Sequence, residues 1–232
     1  MKKASVLLLF LCYCFILKAQ HTSTAQAAQD SIIAEQTRLR FTFRQLFVPA
    51  GLIIAGSLFE SFRGLKNDQL KFHNNHFTHF HTNADNYLQY VPGVIPYAFD
   101  IAGIQSKTDV ANRTVILIKA EILQYAVGNI LKHTVREWRP DGSDRNAFPS
   151  GHTEQAFATA TILSEEYGYR FKWMPYVAYT FASGVGALRI ANNKHYIGDV
   201  LVGAGIGILS AKLAYWTHRY KWGKKKRPAL EP

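Results

Sequence analysis

The sequence predicts an all-α fold in which about six helices form a membrane-embedded bundle. Six apolar stretches divide the 232-residue chain, at residues 46–59, 87–104, 114–131, 156–167, 174–190 and 197–216. Polar residues inside them, such as Asp100 and Glu121, fit a bundle interior, because ionisable groups in membrane helices face partners or a cavity rather than lipid. These residues and the charged loops account for a mean hydropathy of only -0.09. A soluble helical core is the alternative for the same pattern.

Residues 1–19 have the pattern of a secretory signal peptide. Lys2 and Lys3 precede a short apolar segment, and the small residue Ala19 lies at the expected cleavage site. The apolar segment is too short for a typical bilayer span, although an uncleaved anchor helix is the alternative. Residues 20–45 are then a polar linker with an amphipathic lead-in, residues 46–218 the helical domain, and residues 219–232 a basic tail.

The stretch at 197–216 contains Gly203, Gly205 and Gly207. A nucleotide-binding loop needs a different glycine spacing and a strand before it, and both are missing. Small residues in an apolar helix instead permit close helix packing, which is the function we expect for these glycines.

The basic residues predict which loops face outward. The chain has 27 Lys and Arg residues against 16 Asp and Glu, a net charge of +11 that favours anionic partners in general. Because cytoplasmic loops are rich in Lys and Arg, the tail at 219–232 is placed inside. Loops 60–86, 132–150 and 191–196 then face outward. This orientation conflicts with a cleaved signal unless residues 46–59 do not cross the membrane.

The outward loop 132–150 carries the first candidate binding residues. Lys132 and Arg139 are seven residues apart, or two helical turns, so these cations and Arg136 between them could share one helical face and bind an anion. Pro149 cannot lie inside a helix and Ser150 is a good N-cap, so a helix is expected to begin there with free N–H groups that can bind phosphate. His152 would stand at that anion site.

A third segment contains Arg189, His195 and Asp199. His195 and Asp199 are one helical turn apart, so the carboxylate can fix the tautomer of the imidazole and raise its nucleophilicity. Single residues of these types are usually solvated or interfacial, and the prediction depends on the whole ordered set.

The three segments have the patterns K-x6-R-P, P-S-G-H and R-x5-H-x3-D, in that order, over residues 132–199. Together they resemble the type 2 phosphatidic acid phosphatase (PAP2) family, which shares its site with vanadium haloperoxidases and bacterial non-specific acid phosphatases. The resemblance implies a helical core of the PAP2 and haloperoxidase kind. The chain departs from the family at Leu188, where a serine usually precedes the arginine of the third motif.

The resemblance also implies a role for each motif residue. His195 would attack phosphorus to form a phosphohistidine, with Asp199 hydrogen-bonded to its other nitrogen, and His152 would protonate the leaving oxygen and then activate water. The phosphoryl oxygens would be held by five further groups: Lys132, Arg139, Ser150, Gly151 and Arg189. No metal and no other cofactor is needed, because these cations supply the positive charge.

The predicted function is a metal-independent phosphatase acting on a phosphomonoester or diphosphate of an envelope lipid, with lipid A or undecaprenyl diphosphate favoured. The eight residues 141–148 are too few for a lid domain, so the pocket is expected to be open to a bulky headgroup. The expected location is the inner membrane of a bacterium, with the site facing the periplasm and a phosphorylated lipid, not nucleic acid, as partner. A soluble periplasmic acid phosphatase and a non-enzymatic basic membrane protein are the alternatives; a vanadium haloperoxidase would be larger and soluble.

The cluster His73, His76, His79 and His81 lies in the predicted outward loop 60–86. Imidazoles are common ligands for Zn, Cu and Ni, so a metal site is one interpretation. The asparagines and threonines around them favour a polar loop, and the three motifs require no metal.

Overall fold

The computed structural model describes residues 41–218, and in that range every regular element is a helix. We number the eight helices in chain order: α1 Arg44–Ser61, α2 Arg63–His76, α3 Asp85–Leu88, α4 Val91–Ile101, α5 Val110–Val135, α6 Gly151–Tyr167, α7 Met174–Ala191 and α8 Ile197–Trp216. The all-α prediction is therefore confirmed. The predictions for the signal peptide, most of the linker and the basic tail fall on residues outside the described range.

Two differences explain why eight helices replace the expected six. The apolar stretch 87–104 covers the end of α3 and all of α4, and α4 has Pro92 in its first turn, where proline fits a helix. The segment 60–86, predicted as a loop, forms α2, and His73 is buried on this helix. The polar loop expected around the histidines is thus mostly helical up to His76.

Among the described residues, α5 and α8 are long and apolar enough to cross a membrane. Helices α1 and α2 meet at an angle of 86° and pass the same test only when they are taken together as one broken span. The number of candidate spans is therefore two, or three if this bent pair is one of them.

Helix α6 lies at the centre of the bundle and packs against α4, α5, α7 and α8. Small side chains such as Ala156 and Ala160 let its neighbours approach closely, while Phe157, Leu163 and Tyr167 fill the space between them. Across from them lie residues of α7 and α8: Met174, Ala178, Ala182, Val185, Ala204 and Ile208. This core holds α6, α7 and α8 together and so supports the segments that carry the three motifs.

The glycines of α8 make contacts that no larger residue could make. A Cβ atom at Gly203 would lie 2.7 Å from the carbonyl oxygen of Ser150, and one at Gly207 would lie 2.3 Å from that of Glu154, so both would clash with the backbone of α6. On another face, a Cβ atom at Gly205 would lie 2.7 Å from the carbonyl oxygen of Pro49 in α1. The prediction that these glycines serve helix packing is confirmed.

We expect Gly207→Ala to lower the free energy of unfolding by about 1–3 kcal/mol, since the added methyl group has only backbone atoms to displace. Gly184→Ala in α7 is the matched control, because its Cβ would meet nothing within 4 Å and alanine is the better helix former. The measurement is thermal unfolding of the detergent-solubilised variants. Equal unfolding midpoints for the two variants would contradict the packing described here.

Candidate active site

Four helix ends meet at one end of the bundle and bring the three motifs together. They are the C-terminal ends of α5 and α7 and the N-terminal ends of α6 and α8. The N–H of Ser150 donates to the carbonyl oxygen of Asp199 at 3.1 Å, which joins the first turn of α6 to that of α8. The N–H of Asp141 donates to the carbonyl oxygen of Asn193 at 3.1 Å, which joins the two loops.

His195 is buried, with 2% of its surface exposed. Its Nδ1 lies 2.7 Å from the carbonyl oxygen of Ala147, which can only accept a hydrogen bond, so Nδ1 carries the proton. Burial lowers the pKa of His195 well below its usual value, and the positive charges of Arg189, Arg139 and Lys132 lower it further. The ring is therefore neutral at physiological pH, with its lone pair on Nε2, the form that a nucleophile requires.

Asp199 is fully buried and close to His195, but it does not make the hydrogen bond that the spacing predicted. Its Oδ2 lies 3.4 Å from Nδ1 of His195, whereas the Nδ1 proton is donated to Ala147. The same Oδ2 accepts the N–H of Tyr196 at 2.8 Å, the residue that precedes α8. The Asp199 side chain thus caps the helix and lies beside the imidazole.

His152 lies in the first turn of α6, and its Nε2 is 2.8 Å from Oδ1 of Asn86. Burial lowers its pKa to about 4, and the cations Arg189, Arg139 and Lys132 contribute to the shift against the opposing effect of Asp85. The same three cations also lower the pKa of His195.

The three cations come from different parts of the chain. Helix α5 ends at Val135 and Arg136 adopts a left-handed conformation with φ 53°, so Arg139 lies in the following loop rather than on one helical face with Lys132. The expectation of a shared helical face is therefore wrong. Lys132 donates to the carbonyl oxygen of Pro149, and Arg139 pairs with Asp144 at 2.9 Å.

Arg189, at the end of α7, forms a buried ion pair with Asp85 of α3. The distance from Nη1 of Arg189 to Oδ2 of Asp85 is 2.5 Å, and both side chains are less than a tenth exposed. A buried carboxylate holds the guanidinium in one orientation and offsets its charge in the absence of another anion. The Nη1 atom of Arg189 is thus occupied by Asp85, which holds the guanidinium in place.

Ser150 precedes α6 as expected, but its side chain does not cap the helix. Its hydroxyl accepts a hydrogen bond from Oγ1 of Thr153 at 2.9 Å, and the residue is fully buried. Gly151 is the first residue of α6, and no atom lies within 4 Å of the position that a Cβ would occupy. A helix N-terminus with open space beside it can bind an anion through its backbone N–H groups.

Several residues that contact the site lie outside the three sequence motifs. Asp85, Asn86 and Ala147 make the contacts described above, although no motif contains them. The side chain of Asn192 exchanges two 2.9 Å hydrogen bonds with the backbone of Thr82. These contacts join residues that are 48 to 110 positions apart, so no local pattern predicts them.

The histidine cluster is dispersed in the structure. Nε2 of His73 bonds to the carbonyl oxygen of Ala191 at 3.0 Å, and Nδ1 of His76 bonds to that of Phe72 in its own helix. In residues 41–218, no group of three or more His, Cys, Asp or Glu side chains is arranged to hold a metal ion.

Known proteins resemble the chain over this region. Residues 113–223 match the PAP2 superfamily. The chain is 36% identical over 165 residues to the Lipid A 1-phosphatase of Porphyromonas gingivalis, an alignment that covers 66% of this chain and 37% of that protein. The chain thus spans little more than a third of the length of this relative.

Two crystal structures are also similar to the chain. LpxE from Aquifex aeolicus is 24% identical with a TM-score of 0.47, over 62% of this chain and 93% of that one. The first transmembrane PAP2 type phosphatidylglycerolphosphate phosphatase from Bacillus subtilis is 18% identical with a TM-score of 0.47, over 72% of this chain and 94% of that one.

The described charges predict how His152 titrates. We expect its pKa to be near 4, so that it is neutral at pH 7 and gains a proton only as the pH falls through that value. Arg189→Gln should raise this pKa, because the substitution removes a cation and leaves Asp85 unpaired. Arg145→Gln is the control, since Arg145 is exposed and stacks on Trp138 instead. Histidine-selective NMR titration measures both; a wild-type midpoint at 6.5 or above would contradict the assignment.

Proposed function

We propose, from the match of residues 113–223 to the PAP2 superfamily, that the chain is a PAP2 phosphatase of envelope lipids that works through a phosphohistidine. The observation that carries the proposal is the state of His195. It is buried, its Nδ1–H is bonded to Ala147, and three cations lower its pKa, so that the lone pair is on Nε2. Nucleophilic catalysis on a phosphate needs an activated nucleophile and compensation for negative charge, and this arrangement provides both.

In the first step, Nε2 of His195 attacks phosphorus while the bond from phosphorus to the lipid oxygen breaks. His152 in its protonated form gives its proton to that leaving oxygen. The positive charge that develops on the His195 ring is stabilised by the Ala147 carbonyl group, which accepts the Nδ1 proton at 2.7 Å. The products are the lipid alcohol, or the lipid monophosphate from a diphosphate, and a phosphohistidine.

In the second step, His152 acts as a base. It takes a proton from a water molecule whose oxygen attacks phosphorus, the bond from phosphorus to Nε2 breaks, and inorganic phosphate leaves. The same residue is acid and then base, so its pKa must be within reach of the working pH. Without ligand the cations hold the pKa of His152 near 4, and a bound phosphate dianion would offset them and raise it.

The phosphoryl oxygens are held in this proposal by Lys132, Arg139, Arg189 and the N-terminus of α6 at Ser150 and Gly151. Lys132 lies in the last turn of α5, Arg139 in the loop that follows and Arg189 in the last turn of α7, so the cations come from three different segments. Charge fixed in a buried site stabilises the transition state strongly, because it needs no reorganisation during the reaction. We therefore propose that the reaction needs no metal.

For the substrate, we propose the 1-phosphate of lipid A before undecaprenyl diphosphate. The similarity to a Lipid A 1-phosphatase supports this order. Helices α5 and α8 are the two candidate membrane spans, and the site lies where α5 ends and α8 begins. If both helices cross the bilayer, the site is at the membrane surface, where the phosphate of a lipid headgroup also lies. We propose that this surface is the periplasmic one, as the distribution of basic residues predicts.

We expect His195→Asn to reduce phosphate release from lipid substrates by about 10³-fold or more, since asparagine keeps a polar group of similar shape but cannot attack phosphorus. His133→Asn is the control, because His133 is exposed near the end of α5 and should leave the rate unchanged. Phosphate release by purified, detergent-solubilised protein is the measurement. A His195→Asn variant with wild-type activity would refute the role of this residue as nucleophile.

A second experiment separates a lipid phosphatase from a non-specific acid phosphatase. Wild-type protein should hydrolyse lipid A 1-phosphate in mixed micelles with a kcat/KM at least about tenfold above that for p-nitrophenyl phosphate, because only the lipid is delivered to the site at a surface. EDTA should leave both rates unchanged. Equal kcat/KM values for the two substrates would favour the non-specific enzyme, and loss of activity in EDTA would refute the metal-independent mechanism.

A further inference from the structure

Gln69 of α2 makes two hydrogen bonds to the backbone that carries His195. Its Nε2 donates to the carbonyl oxygen of His195 at 3.1 Å, and its Oε1 accepts the N–H of Ile197 at 2.8 Å. Residue 69 lies outside the range that matches the PAP2 superfamily, and no motif of the sequence contains it.

The two bonds run in opposite directions and bracket Tyr196. The carbonyl group of His195 and the N–H of Ile197 belong to the peptide groups on either side of that residue, so one amide side chain fixes both peptide planes. Ile197 is the first residue of α8, and its N–H has no partner within its own helix. Gln69 therefore satisfies a helix terminus and holds the backbone of His195 at the same time.

The ring of His195 is fixed separately by the bond from its Nδ1 to the carbonyl oxygen of Ala147. Ala147 sets the rotation of the ring about its side-chain bonds, whereas Gln69 sets the backbone from which the ring projects. The direction of Nε2 depends on both contacts. Removing only the second would leave the neutral ring in place but free to shift.

Helix α2 is held against this end of the bundle by the residues on either side of Gln69. Lys66 bridges Glu60 at 2.5 Å and Glu137 at 2.9 Å, and His73 bonds to the carbonyl oxygen of Ala191 at 3.0 Å. Residues 66, 69 and 73 are spaced by three and four positions, so they lie on one face of α2. The face that presents Gln69 is thus anchored at both ends.

We propose that Gln69 is a positioning residue that aims Nε2 of His195 at the phosphorus atom. This inference rests on the proposed function of His195. Gln69 touches no reacting atom and acts only through the backbone of the nucleophile. Small displacements of a nucleophile cost large factors in rate, about 10²-fold for 1 Å.

The first test compares Gln69→Ala with Asn67→Ala, an amide on the exposed face of the same helix. With lipid A 1-phosphate as substrate, we expect Gln69→Ala to lower kcat by about 10- to 100-fold with KM changed less than about threefold, since the cations that bind phosphate are untouched. Asn67→Ala should match wild type. A rise in KM with unchanged kcat would overturn the positioning role.

Gln69→Glu supplies a readout that a merely structural role would not move. A protonated carboxyl group can reproduce both bonds, with its C=O accepting from Ile197 and its O–H donating to the carbonyl oxygen of His195. The ionised form has no donor and places two oxygens in contact. We expect the activity of Gln69→Glu relative to wild type to rise as the pH is lowered. A ratio that stays constant with pH would overturn the proposal.

A third measurement separates failure of this inference from failure of the proposed function. The Nδ1 proton of His195 should give a ¹⁵N-edited NMR signal that exchanges slowly with water, and Gln69→Ala should accelerate its exchange at least about tenfold while Asn67→Ala should not. This result needs no enzymatic activity. Wild-type protein without phosphatase activity on lipid substrates would refute the proposed function, whereas unchanged exchange in Gln69→Ala would refute the role of Gln69.

Discussion

The close contact between α6 and α8 is the constraint on which the site depends. Gly203 and Gly207 leave no room for a Cβ atom against the backbone of α6, so the two helices lie at the minimum distance their backbones permit. At that distance the N–H of Ser150 reaches the carbonyl oxygen of Asp199. The first turns of both helices therefore start side by side, which brings together one histidine just before α8 and another at the start of α6. The chemistry of the motifs follows from this backbone contact.

The charges of the site are arranged so that two imidazoles remain neutral among three cations. Burial and the cations both disfavour a protonated ring, so the pKa values of His152 and His195 are lowered together. Two of the cations are themselves compensated, Arg189 by Asp85 and Arg139 by Asp144. A bound phosphate would offset the charge of these cations and so raise the pKa of His152. Binding of an anion and uptake of a proton are thereby coupled.

The sequence predicted what depends on local pattern and missed what depends on distant contacts. The helical class, the packing glycines and the start of a helix at residue 151 follow from residue types and short spacings, and the structure has them. The prediction that Lys132 and Arg139 share a helical face was wrong because α5 ends at Arg136, which has a left-handed conformation. An arginine at this position does not predict such a helix end. The partner of His195 also differed, since the carbonyl oxygen of Ala147 has no side-chain signature and takes the hydrogen bond expected for Asp199.

The bend between α1 and α2 explains how residues far from the motifs contribute to the site. Helix α1 packs along α8, where Gly56 and Gly198 allow their backbones to approach, and the chain then turns by 86°. A straight continuation of α1 would carry the next residues past the end of α8 and away from His195. The turn instead lays α2 beside the end of α8, where Gln69 reaches its first N–H. One continuous segment therefore packs the bundle with its first half and holds the backbone of His195 with its second.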